Sequence, residues 1–302
     1  MEKIKIAPNG PSLSPVIAGV MKWGVWGADL DTAAMQRLIE ESVDAGITSF
    51  DHADIYGHYT TEAAFGQAIQ TLGSGFREKI ELISKCGIRL TTKNRPDYRV
   101  KSYLSNKEHI IWSVENSLRE LGTDHLDLLL IHRPDPLMQP EEVAEAFSLL
   151  KQSGKVFHFG VSNFTCSQFE LLASVTELVT NQVECSPLHN DPIFDGTFDQ
   201  LMQRQLRPMT WSPFGGGQYF SSETSAARRL REAIREINLK YGAPGEDVIL
   251  LAWLLRHPVG ILPVLGTSKI TRLKSGIKAL DVELDSQDWY IILEAARGHE
   301  VA

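Results

Sequence analysis

The sequence predicts a closed (β/α)8 barrel, and three observations carry that prediction. Short apolar runs alternate with longer amphipathic ones, the alternation recurs eight times, and no Gly-x-Gly-x-x-Gly turn follows the first strand. Alternating strands and helices build a parallel sheet. Eight repeats in a chain of this length suit a barrel, typically about 250 residues or more, better than a doubly wound sheet. The missing glycine-rich turn lowers the doubly wound alternative further. The chain has 302 residues, 43% hydrophobic and 23% charged, which is ordinary globular composition. No linker or low-complexity segment interrupts it, so residues 1–302 are expected to form one barrel domain.

The elements follow in order. "PVIAGVM" (15–21) reads as the first strand. "DTAAMQRLIEESVDAG" (31–46) reads as a helix with Asp31 as N-cap, Met35, Leu38, Ile39 and Val43 at helical spacing, and Gly46 as its stop. Strand 47–52, helix 60–72 and strand 79–87 come next. Helix 105–122 is expected to have Ser105 as N-cap and Gly122 just past its end. Strand 125–133 precedes helix 139–154, which carries Pro140 in its first turn. Strand 155–163, helix 165–175, strand 178–185, helix 196–205 and strand 206–214 continue the rhythm. Helices 224–242 and 245–258, strand 259–266, and helices 269–280 and 285–298 complete it, with connections of a few residues throughout. "KIKIAP" and "SPVI", near the N-terminus, are placed to form a hairpin closing the barrel bottom.

Composition also narrows function. The net charge is −8 with interspersed signs and no Lys/Arg run, which argues against nucleic acid. Cys86, Cys166 and Cys185 are few and widely spaced, with no CxxC, so neither a disulfide framework nor a zinc ribbon is expected. A reducing cytoplasm fits. The N-terminus lacks the apolar core of a signal peptide, and no run reaches the ~18 apolar residues of a membrane span. A cytoplasmic monomer or weak oligomer acting on small molecules is expected.

Catalytic groups of such barrels lie at the carboxyl ends of the strands. Here those ends carry Asp51 with Tyr56 just beyond, then Lys85, His132 and Arg133, Ser162 and Asn163, Gln182 and Glu184, and Ser212. Lys85 follows the buried-looking "IELIS". A desolvated ammonium is costly without a carboxylate, and Asp51, one strand away, supplies one. A lysine beside Tyr56 stabilises tyrosinate and is expected to bring its pKa from about 10 toward neutrality, as a general acid requires. His132 is placed to donate to the same substrate oxygen. The constellation suits protonation of a carbonyl oxygen as hydride reaches the carbon.

The crowded stretch "FDHADIYGH" (50–58) also raises metal binding by His52, Asp54 and His58. Strand alternation puts His52 on the face opposite Asp51. No HxH or HExxH accompanies it, so no metal site is expected, and His52 is read as packing or support. Trp23 and Trp26, in the glycine-punctuated "MKWGVWG", are read as walls of the substrate pocket. Arg133 is read as either a structural ion pair or a contact to an acidic substrate group. Cys86 is read as a buried, inert thiol.

These motifs together resemble the aldo-keto reductases. The resemblance covers nearly the whole chain through "GVMKW", "FDHADIYG", "ISKCG", "LDLLLIHRPDP", "GKVFHFGVSNF", "TNQVECSPL", "WSPFGGG" and "LPVLGTSKITRL". Within the family it looks most like a bacterial branch of NADP-linked oxidoreductases. The resemblance implies a tetrad of Asp51, Tyr56, Lys85 and His132, and NADPH lying extended across the barrel mouth. It implies cofactor contacts from Gly19, Met21, Trp23 and Asp51, with Ser162, Asn163 and Gln182 on the nicotinamide carboxamide. Trp211 would stack on the nicotinamide ring. Ser212, Phe214 and Gly215 would surround the pyrophosphate, with Gly266, Ser268, Lys269 and Arg272 at the adenosine end. Trp23, Trp26, His58 and Arg133 would line the substrate pocket.

The chain departs from the family pattern in three places. His52 stands where the family usually has Thr, "RLKSG" lacks the Glu-Asn pair that often follows the arginine, and the tail after Leu280 is short. The implied activity is NADPH-dependent reduction of an aldehyde or ketone. A non-enzymatic redox-sensing module that binds NADP(H) for a partner protein is the alternative, and the intact tetrad weighs against it.

Overall fold

The computed structural model of the chain describes residues 2–73 and 75–301. Its centre is a closed barrel of eight parallel strands. These are β1 (Ile17–Gly19), β2 (Ser49–Asp51), β3 (Glu81–Cys86), β4 (Leu126–Ile131), β5 (Val156–Ser162), β6 (Asn181–Glu184), β7 (Met209–Trp211) and β8 (Leu262–Leu265). Each strand pairs with the next, and β8 closes on β1 through Val264 opposite Ile17. Around it lie α1 (Thr32–Asp44), α2 (Thr61–Thr71), α3 (Lys107–Leu121), α4 (Pro140–Gln152), α5 (Cys166–Ala173), α6 (Thr197–Gln203), α7 (Ser225–Lys240), α8 (Glu246–Leu255), α9 (Ile270–Lys278) and α10 (Ser286–Arg297).

Local chemistry explains the helix boundaries. The Asp31 carboxylate accepts from Ala34 N at 2.7 Å and starts α1. Pro140 occupies the first turn of α4, and Gly122 ends α3 in the left-handed region at φ 66°. The N-cap of α3 is Asn106, whose Oδ1 accepts from His109 N at 3.0 Å, and not Ser105. Ser105 is buried and gives its hydroxyl to Asp135 Oδ2 at 3.0 Å, a long-range bond that local sequence does not reveal. Gly66 lets α2 approach α3 closely: a Cβ there would stand 2.2 Å from the Glu120 carbonyl oxygen.

The N-terminal hairpin exists with a shifted partner. Ile4–Lys5 pairs antiparallel with Ser12–Leu13, while Ile17 of the expected "SPVI" arm starts β1. The Ile6 carbonyl accepts from Arg207 N at 2.8 Å, just ahead of β7, so the hairpin covers the amino-terminal end of the barrel. Polar groups plug that end: Glu81 Oε2 accepts from Thr48 Oγ1 at 2.8 Å and Ser49 Oγ at 2.7 Å, and Lys3 pairs with Glu81.

The connections are not uniformly short. At the opposite end, β3 leads into a long segment holding a second hairpin, Ile88–Arg89 against Ser102–Tyr103. The segments between β6 and α6 and between β7 and α7 are also long. The excursions after β3 and β7, with the equally long segment between β1 and α1, line the mouth. No helix among the described residues is long and apolar enough to cross a membrane.

Candidate active site

Register assembles the site. Asp51 ends β2 opposite Ile83 of β3, and Lys85 lies two residues further along β3 on the same face. The Lys85 ammonium therefore reaches Asp51 Oδ2 at 2.7 Å, and it also donates to the His52 carbonyl at 2.7 Å and Tyr56 Oη at 3.3 Å. Both charged side chains are buried, at 1% and 3% exposure. The other carboxylate oxygen, Oδ1, accepts from Gln182 Nε2 at 2.9 Å. Because β2 and β6 stand opposite each other in the eight-stranded order, this bond crosses the barrel interior. His132, just past β4, meets the Tyr56 ring edge-on at 6.0 Å between centroids.

Burial sets the protonation states. It opposes the Lys85 ammonium, but Asp51 and Tyr56 outweigh it and hold the pKa above the ordinary lysine value. Burial raises the Tyr56 phenol, and the neighbouring Lys85 offsets only part of that rise. This corrects the expectation of a tyrosine tuned toward neutrality: Asp51 already absorbs much of the ammonium's field and itself pushes Tyr56 up. Tyr56 therefore keeps its phenolic proton. Burial, with Lys85, Arg133 and Lys101 adding to it, holds His132 well below the usual histidine range, so its imidazole is also neutral. Its Nδ1 is buried with no partner among the described residues, and the tautomer follows whichever acceptor arrives.

Above the tetrad lies a cavity of about 610 Å3. Asp51, Tyr56 and His132 form its floor, and its wall includes Gly19, Met21, Trp26, Arg133, Ser162, Asn163, Gln182, Trp211, Ser212, Phe214 and Gly266. The polar groups on the β5–β7 side are fixed by one another. Ser162 Oγ donates to the Gln182 carbonyl at 3.0 Å, Asn163 Nδ2 to Ser162 Oγ at 2.7 Å, and Trp211 Nε1 to Asn163 Oδ1 at 3.1 Å. Asn163 and Ser212 hold left-handed backbone at φ 60° and 53°. Such strain is found where a site positions a ligand.

Several expected residues fall elsewhere. Trp23 is not a pocket wall: it is fully buried, packs against Phe50 and Phe65, and donates its indole N–H to the Thr267 carbonyl at 2.7 Å. Its large apolar ring serves the core beneath the mouth. His58 is exposed, with left-handed backbone at φ 59°, and backs Trp26 edge-on at 5.2 Å outside the cavity wall. Gly215 is buried against Leu188, while Gly216 and Gly217 face the cavity. Ser268, Lys269 and Arg272 follow β8 on the rim, with Lys269 capping the amino end of α9.

His52 packs on Phe65 at 4.3 Å, and burial lowers its pKa to about 3. Asp54 is held above the carboxylate range by burial, as is the Cys86 thiol above its own. Among the described residues no group of three or more His, Cys, Asp and Glu is arranged to hold a metal. Residue-by-residue reading missed Lys22, Ile55, Ile88, Leu90 and Lys101 on the cavity wall. The last three belong to the long excursion after β3, whose unusual length was the available signal.

A nicotinamide cofactor fits this surface. A Cβ on Gly266 would project into open space, so this glycine leaves room for a ligand, while Gly19 lets β1 pack closely on Val264 and Gly266. The amino end of α9, with Lys269 and Arg272 beside it, offers positive charge to phosphate.

A barrel with a buried Asp–Lys–Tyr chain at its mouth defines an oxidoreductase of the nicotinamide-dependent kind. The chain belongs to the aldo/keto reductase family, whose sequence model matches residues 15–297. It is 45% identical over 303 residues to the uncharacterized oxidoreductase YcsN of Bacillus subtilis, covering 100% of both chains. It is 44% identical to a 6-dehydroglucose reductase of Agrobacterium fabrum, covering 93% of this chain and 95% of that one. The crystal structure of the thermostable aldo-keto reductase Tm1743 with the inhibitor epalrestat superposes with a TM-score of 0.81 at 25% identity, over 98% and 100% of the two chains.

Proposed function

We propose that the protein reduces an aldehyde or ketone to the alcohol with NADPH, using Tyr56 as proton donor. The observation that carries this reading is the buried hydrogen-bond chain Asp51–Lys85–Tyr56 opening on a cavity that His132 also faces. The bound nicotinamide supplies the hydride. Ser162, Asn163 and Gln182 would hold the carboxamide, and Trp211, its indole N–H fixed on Asn163 Oδ1, would pack against the nicotinamide. Tyr56 and His132 donate to the carbonyl oxygen and polarise it. As the carbon gains hydride, the oxygen takes the Tyr56 proton, and the Lys85 ammonium at 3.3 Å stabilises the tyrosinate left behind. Solvent then reprotonates Tyr56. The carbonyl is reduced by two electrons and the cofactor oxidised by two.

Lys269 and Arg272 favour a 2′-phosphate, because free cations at a helix amino end select the more anionic cofactor. The free cysteines suit a reducing cytoplasm. A relative named for reducing 6-dehydroglucose supports a sugar-like or other small carbonyl compound as substrate. The test is NADPH oxidation with a panel of aldehydes and ketones, wild type against Tyr56→Phe. A loss of roughly 10²-fold or more is expected; full activity in the variant, or no turnover of any carbonyl by wild type, sinks the mechanism. Arg272→Leu should weaken NADPH far more than NADH, and equal losses would remove the 2′-phosphate assignment.

A further inference from the structure

We propose that the carbonyl substrate carries an anionic group, a carboxylate or a phosphate, that Arg133 and Lys101 bind. This inference rests on the carbonyl-reductase reading and adds the substrate's charge class to it. The chain as a whole is acidic, at −8, yet the wall of the tetrad cavity carries Lys22, Lys101 and Arg133. Asp51 is the single carboxylate on that wall among the described residues, and Lys85 neutralises it.

The cations divide between two halves of the mouth. Lys22 follows β1, next to the segment after β8 that Trp23 holds through the Thr267 carbonyl, and its ammonium already donates to the Trp26 carbonyl at 3.2 Å. It belongs with Lys269 and Arg272 on the side where cofactor phosphates are expected. Lys101 and Arg133 stand on the other side. Lys101 directly precedes the second hairpin strand, Ser102–Tyr103, in the excursion that follows β3, and Arg133 follows His132 just past the adjacent β4. Both line the same cavity as Tyr56 and His132, the two groups that would face the carbonyl oxygen.

Arg133 is also held ready. Its guanidinium lies over the Trp211 ring, 5.4 Å from the centroid, so its orientation is fixed without a carboxylate partner. It borders an adjoining cavity lined in part by Glu184, Asp191 and Asp195, but makes no ion pair with them. A guanidinium with open donors and an ammonium with none of its charge spent are suited to a planar carboxylate or a phosphate. A neutral substrate would leave the half-buried Arg133 guanidinium facing the cavity without a counter-charge, whereas Lys101, at the exposed rim, would stay in water.

Matched substrate pairs test this with the intact enzyme and NADPH: butanal against 4-oxobutanoate, and glyceraldehyde against glyceraldehyde 3-phosphate. The anionic member of at least one pair is expected to have kcat/KM higher on the order of tenfold or more, and the pair with the larger ratio identifies carboxylate or phosphate. The ratio should shrink in ~0.5 M salt and fall toward one in Arg133→Met and in Lys101→Met. Fluorescence titration, read through Trp26 and Trp211, compares 4-hydroxybutanoate with butanol and needs no turnover. If no carbonyl is reduced, the reductase reading fails while this binding preference still decides the anion site. Equal ratios in wild type, with equal binding of the two alcohols, overturn the proposal. A wild-type preference that neither variant moves overturns the assignment to these residues.

Discussion

Replacing Lys85 with Met separates the structural from the chemical role of the buried ion pair. The substitution keeps an unbranched side chain of similar length but removes donors to Asp51, His52 and Tyr56 at 2.7, 2.7 and 3.3 Å. Asp51 then stays buried with only Gln182 as partner. Removing one member of a buried pair costs about 3–5 kcal/mol, because the remaining charge is uncompensated. For a chain of this size that corresponds to a fall in Tm of roughly 5–8 °C. Asp51→Asn in the same background removes the stranded charge and should restore most of the loss, giving a coupling on the order of 2 kcal/mol or more. Urea unfolding with linear extrapolation measures the four corners of the cycle. NADPH oxidation by the same proteins should be lost in all three variants, since none presents an ammonium beside a buried Asp51 carboxylate. Additive stability losses would show that the pair is not coupled. Retained turnover in Lys85→Met would show that Tyr56 does not depend on the ammonium.

Other changes probe the shell around this pair. Burial raises Glu62 from 4.5 to about 7 against hydrogen bonds from Ser84 and Ser117. The folded state therefore keeps a proton that the unfolded chain has released, and this group's contribution to stability is present below pH 4.5 and lost as pH rises to 7, by roughly 3 kcal/mol. Glu62→Gln should flatten that component in thermal melts run across pH, and an unchanged slope contradicts the protonation state. His52 has the opposite sign: lowered to about 3 by burial, it contributes stability above pH 6.5 that is lost as pH falls. Its ring nitrogens have no partner among the described residues, so His52→Leu should melt higher than wild type at pH 5; a lower melting point would reveal a missed hydrogen bond. Gly66→Ala should destabilise by about 1–3 kcal/mol, because its Cβ meets the Glu120 carbonyl at 2.2 Å; unchanged chemical denaturation would mean that α2 and α3 separate freely.

The barrel was legible because periodicity is local. Apolar strands and amphipathic helices announce themselves within ten or fifteen residues, and strand order follows from their number. The grouping of Asp51, Lys85 and His132 with Tyr56 was legible for a related reason, since the first three lie at or just past strand ends and Tyr56 lies in the segment that follows Asp51. What sequence hid depends on contacts between distant segments. Ser105 resembles an N-cap, but Asp135 claims its hydroxyl, and Asn106 caps α3 instead. Trp23 and Trp26 share one glycine-punctuated loop, yet Thr267 draws the first into the core while the second stays on the wall. The direction of the Tyr56 shift depends on burial, the largest influence, and on Asp51 opposing Lys85, neither of which local sequence displays. Lys101 was missed because its excursion has no helical or strand period to fix its direction.

The corrected protonation states sharpen the chemistry. Hydride addition builds negative charge on the carbonyl oxygen, so a site for it must present protons and no exposed anion. Each buried group here meets that demand. Tyr56 and His132 are held neutral at the floor of the cavity, as the proposed donors must be. Burial holds Asp54 and Glu62 toward their protonated forms behind them. The one carboxylate at the floor, Asp51, is covered on one oxygen by Lys85 and on the other by Gln182. A tyrosine with a lowered resting pKa would put tyrosinate in the path of the hydride for part of the time. A raised one keeps the phenol protonated at rest. On the proposed mechanism the ammonium at 3.3 Å would stabilise the negative charge that develops on the Tyr56 oxygen as the proton leaves, and an interaction that strengthens toward the transition state accelerates the step.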